Sequence, residues 1–124
     1  MMAELDRIKN VTIVGIGTQG SMIAFRNALH GKNVTGYSRT QASIDTCKNK
    51  IEKWLSHFIQ EGKLTQQEAD ALRSRIHYAT SMEEACKNAD LVVENVPEKL
   101  KVKQVVLQQL DQFCTTHCYL NSNT

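Results

Sequence analysis

The sequence predicts an α/β fold in which a doubly wound parallel sheet is covered by helices on both faces. Short β-branched runs alternate with longer amphipathic stretches along the chain, and this alternation favours parallel strands joined by helices. A glycine-rich turn connects the first β-branched run to the first amphipathic stretch, as a tight strand-to-helix junction requires. The length of 124 residues corresponds to one domain.

The first half of the chain contains two expected strands and two expected helices. Residues 10–15 are a β-branched run without polar alternation, which indicates a strand buried on both faces. Residues 21–30 follow as a helix that ends before the stop signal Gly31, and residues 33–37 are the second strand. Residues 42–59 carry apolar side chains every three or four positions, so we expect a long helix with one buried face.

Two capping boxes begin short helices in the second half. In the pattern S/T-x-x-E, the hydroxyl accepts from the glutamate amide, and the glutamate side chain accepts from the cap amide. The pattern occurs at residues 65–68 and 81–84 and predicts helices that run to Arg73 and Lys87.

For the doubly wound sheet we expect the strand order 3-2-1-4-5, with the glycine-rich turn at the switch point between strands one and four. The remaining expected elements are strands over residues 76–79, 91–95 and 118–121 and a helix over residues 99–113.

The composition excludes several classes of protein. Hydrophobic residues make up 41% and charged residues 23%, as in an ordinary globular domain. No apolar run is long enough to span a bilayer, and the first ten residues lack the apolar core of a signal peptide, so we expect a cytoplasmic protein with no membrane partner. A formal net charge of +2 does not indicate nucleic acid binding.

The cysteines and histidines do not form a convincing site. The four cysteines are expected as reduced thiols. Cys114, His117 and Cys118 are too few ligands for a structural zinc ion, so no metal is expected. The four histidines are scattered, and we expect none of them to be paired with a glutamate as a general base is.

The glycine-rich turn at residues 15–20 has the G-x-G-x-x-G spacing of dinucleotide-binding loops. Gly15 permits the tight turn, Gly17 lets a pyrophosphate approach the backbone, and Gly20 lets the helix lie close to the strand. The amides at the start of the helix would face the phosphates. The alternative is an α/β turn whose glycines serve packing alone.

The residues after the second expected strand bear on the choice of dinucleotide. An acid that binds the ribose of NAD is expected there, about 20 residues after the glycines, but the chain has Ser38, Arg39 and Thr40. Arg39 can pair with a 2′-phosphate, which slightly favours NADP(H). In the other interpretation, NAD(H) binds through the pyrophosphate and Ser38, and Arg39 lies in solvent.

Three segments in this order resemble the 3-hydroxyacyl-CoA dehydrogenases: residues 15–24, residues 89–98 and residues 121–124. The resemblance implies a Rossmann-type NAD(P)-binding domain over residues 1–124. It also implies that the family's helical C-terminal domain, which builds substrate and dimer contacts, is absent from this chain. NAD(H) is the family's default cofactor.

The resemblance also implies a reaction, namely hydride transfer between NAD(P) and a 3-hydroxyacyl-CoA of fatty acid metabolism or a related small hydroxy or keto acid. The family's catalytic histidine and glutamate correspond to positions beyond Thr124, so no catalytic residue is expected within this chain, and the chain alone is expected to be inactive. A homo-oligomer is expected. The alternative function is a free-standing regulatory module that binds a dinucleotide without catalysis.

Carried over by position, Glu98 and Lys103 match residues near the nicotinamide half of the cofactor, and Ser122 and Asn123 are expected near the substrate. Two features depart from the family. Ser38 replaces an aspartate, and Trp54 and Glu61 replace a small polar and a basic residue on the helix that contacts CoA. The expected cofactor-binding residues are Gly15, Ile16, Gly17, Thr18, Gln19, Gly20, Ser38, Arg39, Thr40, Asn95, Val96, Glu98, Lys103 and Asn121.

Overall fold

Five parallel strands form one sheet in a computed structural model that describes residues 8–95 and the strand at residues 119–122. Their order across the sheet is β3-β2-β1-β4-β5, which confirms both the predicted order and the predicted fold class. β1 lies at the centre and pairs in register with β2 and β4. The strands are β1 (Asn10–Val14), β2 (Asn33–Tyr37), β3 (Ile76–Ala79), β4 (Leu91–Glu94) and β5 (Tyr119–Ser122).

Four helices connect the strands in the described part of the chain: α1 (Thr18–Leu29), α2 (Gln41–Gln60), α3 (Gln66–Ser74) and α4 (Met82–Cys86). α1 begins three residues earlier than predicted, because Gly17 already occupies the N-cap position. β4 ends at Glu94, one residue before the predicted end. The helix predicted over residues 99–113 lies outside the described residues.

The two predicted capping boxes differ in the structure. At α3, Thr65 Oγ1 accepts from the Glu68 amide at 3.1 Å, and Glu68 Oε1 accepts from the Thr65 amide at 2.9 Å, so this box is confirmed. At α4, the Ser81 hydroxyl accepts from the Glu84 amide at 3.4 Å. The return bond of that box is not made between these two described residues, so the second prediction was half right.

The core lies on both faces of the sheet. β1 supplies Val11 and Ile13 to the larger cluster, which α1, α2 and α3 cover. It supplies Val14 to a smaller cluster under α4, and the buried Thr12 hydroxyl donates to the Ala85 carbonyl of α4 at 2.6 Å. The prediction that the first strand is buried on both faces is therefore confirmed. No helix within the described residues has both the length and the apolarity needed to cross a bilayer.

α1 and α2 are held together by aromatic packing. The Phe25 ring of α1 lies 5.6 Å from the Trp54 ring and 5.3 Å from the Phe58 ring, both on α2.

Gly20, Ala24 and Ala28 form a buried stripe of small residues along α1. Helix α1 therefore lies close to the sheet, and its N-terminus is fixed at the carboxyl end of β1.

Candidate dinucleotide-binding site

The turn after β1 is held by hydrogen bonds to the ends of two neighbouring strands. Gly15 has φ 98°, a left-handed conformation that favours glycine. The Gly15 amide donates to the Tyr37 carbonyl of β2 at 3.1 Å. The Asn95 amide, just after β4, donates to the Val14 carbonyl at 2.8 Å. The carboxyl ends of β1, β2 and β4 thus meet at the glycine turn, where ligands bind in open α/β sheets.

Gly20 lies beneath the turn, where there is no space for a side chain. A Cβ atom at this position would lie 2.0 Å from the Gly15 carbonyl oxygen and 3.1 Å from Asn95 Nδ2. The predicted close approach of helix and strand at Gly20 is confirmed. The atom that a side chain at this position would meet first is the Gly15 carbonyl oxygen, within the turn.

Gly17 faces open space. No atom lies within 4 Å of where its Cβ would be. As the N-cap of α1, it makes no side-chain hydrogen bond to the helix amides, and the first turn of α1 carries no acidic residue. The unpaired amides and the positive end of the helix dipole therefore remain available to an anion.

A cavity of about 630 Å³ opens over this turn. Among the described residues that line it, there is no carboxylate, and Lys50 is the one charged side chain. The cavity suits a ligand that carries negative charge. Its lining consists of Gly15, Ile16, Gly17, Thr18, Gln19, Ser38, Ala42, Ser43, Thr46, Lys50 and Asn95.

Seven of the lining residues were predicted from the sequence, and four were not. The four residues that sequence reasoning missed are Ala42, Ser43, Thr46 and Lys50, which lie along one side of α2. Their spacing of three and four residues is visible in the sequence. The sequence could not show that this side of the helix faces the glycine turn rather than solvent.

Arg39 and Thr40 are exposed and are not among the residues that line the cavity. Thr40 is the N-cap of α2, and its Oγ1 accepts from the Ser43 amide at 3.3 Å and donates to the Ser43 hydroxyl at 2.9 Å. Ser38 lines the cavity at the end of β2. Of the three residues predicted near the ribose, Ser38 is therefore the one in the cavity wall.

The remaining predicted residues follow β4 in the sequence, and two of them, Asn121 and Ser122, are on β5. Asn121 pairs with Val93, and Ser122 pairs with the fully buried Glu94, so the carboxyl end of the outer strand β5 lies at the same end of the sheet as the carboxyl ends of β1 and β4. Val96, Glu98, Lys103 and Asn123 lie outside the described residues, and so do Cys114, His117 and Cys118.

The thiol of Cys47 on α2 is buried, and burial raises its pKa. Burial also raises the pKa of the nearby Tyr78 hydroxyl. The described residues contain no group of three or more His, Cys, Asp or Glu side chains that could hold a metal ion.

The sequence interpretation overlooked one histidine–glutamate pair. His57 Nε2 lies 2.8 Å from Glu61 Oε1, one turn further along the helix. Both side chains are well exposed, at 63% and 40%, and the pair lies about two helical turns beyond Lys50. The pKa of Glu61 is held below its usual range, chiefly by the hydrogen bond with Lys63 and then by the charge of His57. This pair is therefore a surface interaction away from the cavity.

Residues 10–124 match the family model for "3-hydroxyacyl-CoA dehydrogenase, NAD binding domain". The chain belongs to this family. The family's description supports NAD(H) as the ligand of such a domain, and the resemblance drawn from three sequence segments is confirmed.

The chain is similar to several longer dehydrogenases. It is 32% identical over 117 residues to a probable 3-hydroxybutyryl-CoA dehydrogenase of Bacillus subtilis, covering 94% of this chain and 40% of that protein. It is 33% identical over 120 residues to a 3-hydroxybutyryl-CoA dehydrogenase of Mycobacterium tuberculosis, covering 96% and 42%. The chain thus spans about two-fifths of the length of these relatives.

Solved structures of similar proteins share the fold. A 3-hydroxybutyryl-CoA dehydrogenase of Escherichia coli aligns with a TM-score of 0.89 at 30% identity, covering 95% of this chain and 25% of that one. A diketoreductase that acts on dicarbonyl compounds aligns with a TM-score of 0.86 at 34% identity, covering 94% and 42%.

Proposed function

We propose that this chain is the dinucleotide-binding domain of an oxidoreductase that moves a hydride between a 3-hydroxyacyl compound and a nicotinamide cofactor. The observation that carries the proposal is the N-terminus of α1, which opens into the cavity with no side-chain cap and no carboxylate among the described lining residues. Membership of an NAD-binding domain family supports the same conclusion.

In the proposed site, the described residues bind and orient the cofactor. The amides that follow Gly17 would bind the pyrophosphate, because they point into the cavity from the positive end of α1. Ser38, at the end of β2, would donate to or accept from the ribose hydroxyls. Asn95 closes the wall on the β4 side. When bound, the nicotinamide supplies the hydride chemistry.

We propose that the base for the substrate hydroxyl comes from a further domain, as the family resemblance implies. Residues 1–124 would then bind the cofactor without turning over substrate. Val96, Glu98, Lys103, Asn121, Ser122 and Asn123 remain proposed residues of the nicotinamide and substrate half.

Two residues of α2 bear on the substrate class. In the family resemblance, positions 54 and 61 contact CoA. Here the Trp54 ring packs on Phe25, and the Glu61 carboxylate is paired with His57 and with Lys63, whose Nζ lies 3.0 Å away. An acidic group at this position would repel the phosphates of CoA. We therefore propose small hydroxy or keto acids as alternative substrates of the whole enzyme. Its rates with these acids should be measured beside its rate with 3-hydroxyacyl-CoA.

We propose that the site accepts NADP(H) as well as NAD(H). An aspartate in the cavity wall would repel a 2′-phosphate, and the wall has Ser38 at this position. Arg39 is exposed beside it, where it can pair with a phosphate in solvent. Ser38→Asp should weaken NADPH binding about tenfold or more without a similar loss of NADH, and Arg39→Ala should weaken NADPH more than NADH.

A titration of the chain with NADH and NADPH, read by cofactor fluorescence, tests these proposals. We expect saturable binding that Gly17→Asp abolishes, because the added carboxylate would occupy the place of the phosphate and repel its negative charge. We expect no oxidation of NADH with acetoacetyl-CoA or a small keto acid. Absence of saturable binding would refute the dinucleotide site. Turnover above the Gly17→Asp control would refute the proposal that the catalytic base comes from a further domain.

A further inference from the structure

The ammonium group of Lys50 lies at the entrance to the glycine turn. Lys50 Nζ donates to Thr18 Oγ1 at 2.7 Å, and Thr18 is the first residue of α1, directly after Gly17. Lys50 is half-buried, and both residues line the cavity. Helix α2 thus brings a cation to the N-terminus of α1, which already attracts anions.

The direction of this hydrogen bond leaves several donors for a ligand. A lysine ammonium has three N–H donors, one of which is used by Thr18. Because the Thr18 oxygen accepts, its own hydroxyl hydrogen can donate to another atom. The pair therefore presents ammonium and hydroxyl donors beside the helix amides, the arrangement that a phosphate oxygen binds.

We infer that Lys50 and Thr18 together bind the pyrophosphate of the dinucleotide. The inference rests on the proposed function and names a residue beyond the glycine turn for it. The pyrophosphate is the phosphate concerned because Thr18 begins α1, whereas a 2′-phosphate would lie by Ser38 at the end of β2. The contribution of Lys50 should therefore be the same for NAD(H) and NADP(H).

The other role for this contact is structural, as a link between α2 and α1. The packing of Phe25 against Trp54 and Phe58 already joins the two helices. The Lys50 bond is a single contact of a half-buried side chain, and such bonds contribute little to stability. Replacement of Lys50 should therefore change ligand affinity and leave the thermal unfolding of the chain almost unchanged.

The test compares Lys50→Met with Lys48→Met, a control with the same change of charge on the same helix. Lys48 is exposed, and its Nζ lies 5.2 Å from the centre of the Tyr78 ring. The probes are ADP, adenosine, NADH and NADPH, with affinities measured by calorimetry at low and moderate salt. Because a charge-assisted hydrogen bond is lost, we expect Lys50→Met to weaken ADP, NADH and NADPH about tenfold each. Adenosine should change less than about twofold, as should every probe with Lys48→Met.

Two further variants refine the result. Lys50→Arg should retain most of the affinity, because the positive charge is kept. Thr18→Val should weaken ADP, and adding it to Lys50→Met should cost less than the sum of the two single losses, since the two residues act together. Melting temperatures of all variants within about 2 °C of the original chain would separate the ligand role from the structural one.

Distinct outcomes would overturn the inference. Equal affinities in Lys50→Met and Lys48→Met would show that Lys50 does not contact the phosphates, although binding by the original chain would still support the proposed function. A loss confined to NADPH would place Lys50 at the 2′-phosphate and refute the assignment to the pyrophosphate. If the original chain binds neither ADP nor NADH, both the inference and the proposed function are wrong.

Discussion

A methyl group added at Gly20 tests the packing beneath the glycine turn. In Gly20→Ala, the new Cβ would begin 2.0 Å from the Gly15 carbonyl oxygen, whereas ordinary van der Waals contact starts at 3.4 Å. The obstructing atom belongs to the backbone and cannot rotate away. Gly15 itself is held by the hydrogen bond that its amide donates to the Tyr37 carbonyl, so relief of the clash requires the turn to move.

Whether Gly20→Ala lowers or raises the free energy of unfolding depends on two opposing contributions. Overpacking of this kind costs about 1–3 kcal/mol, and the upper end applies because backbone atoms collide. Alanine within a helix is favoured over glycine by about 1 kcal/mol. We expect a net loss of about 2 kcal/mol, which is roughly 8 °C in melting temperature for a domain of this size. If the clash were relieved without cost, the variant would instead be more stable than the original chain.

Gly17→Ala is the matched control, because the same atom is added to the same turn. Its φ of −68° is open to alanine, and no atom lies within 4 Å of the added Cβ. We expect a stability change within about 0.5 kcal/mol, since the poorer N-cap is offset by the reduced freedom of the unfolded chain. NADH binding should fall, because the methyl group enters the phosphate position. Urea unfolding and NADH titration of both variants would refute this reasoning if Gly20→Ala were as stable as the original.

Four further variants probe the framework around the site. Thr65→Ala should cost about 1 kcal/mol because it breaks the full capping box of α3, and Ser81→Ala should cost less since it removes one long bond; urea midpoints compare them. Arg73→Met should cost less than about 1 kcal/mol at pH 7, because Arg73 binds Glu52 through two exposed bonds of 2.5 and 2.8 Å. Arg73 holds the pKa of Glu52 below its ordinary 4.5, so the difference should persist above that pH and vanish as the pH falls through the lowered pKa; unfolding from pH 3 to 7 checks this. Trp54→Ser should cost about 2 kcal/mol through lost aromatic packing while NADH binding remains; circular dichroism is the readout, since this is the chain's one tryptophan.

The parts of the fold that the sequence predicted correctly are those set by local patterns. The β-branched runs and the small residues at every fourth position, Gly20, Ala24 and Ala28, indicate which faces are buried, and parallel connection rules then favour the strand order. The start of α1 was predicted three residues late, because an N-cap glycine makes no side-chain bond that a sequence pattern would reveal. The half-formed capping box at Ser81 shows the same limit, since the return bond depends on side-chain placement.

The site was predictable only where its residues follow the strand ends. The glycine turn, Ser38 and Asn95 come directly after strands, so parallel topology brings them together. The wall formed by α2 was missed for a physical reason. Thr46 and Lys50 lie outside the buried face of an amphipathic helix, where polar residues usually contact solvent. Only the packing of α2 on α1 shows that this polar side faces the turn.

The cavity selects an anion by what its walls omit as well as by what they contain. Gly17 provides no side chain, the first turn of α1 carries no acid to cap its amides, and the residue that lines the cavity after β2 is Ser38 rather than a carboxylate. Each omission removes a group that would block or repel a phosphate. Against this background the charge of Lys50 has no acidic partner among the described lining residues. A phosphate that enters the cavity would therefore meet the helix amides and the ammonium together, without displacing an ion pair to reach them.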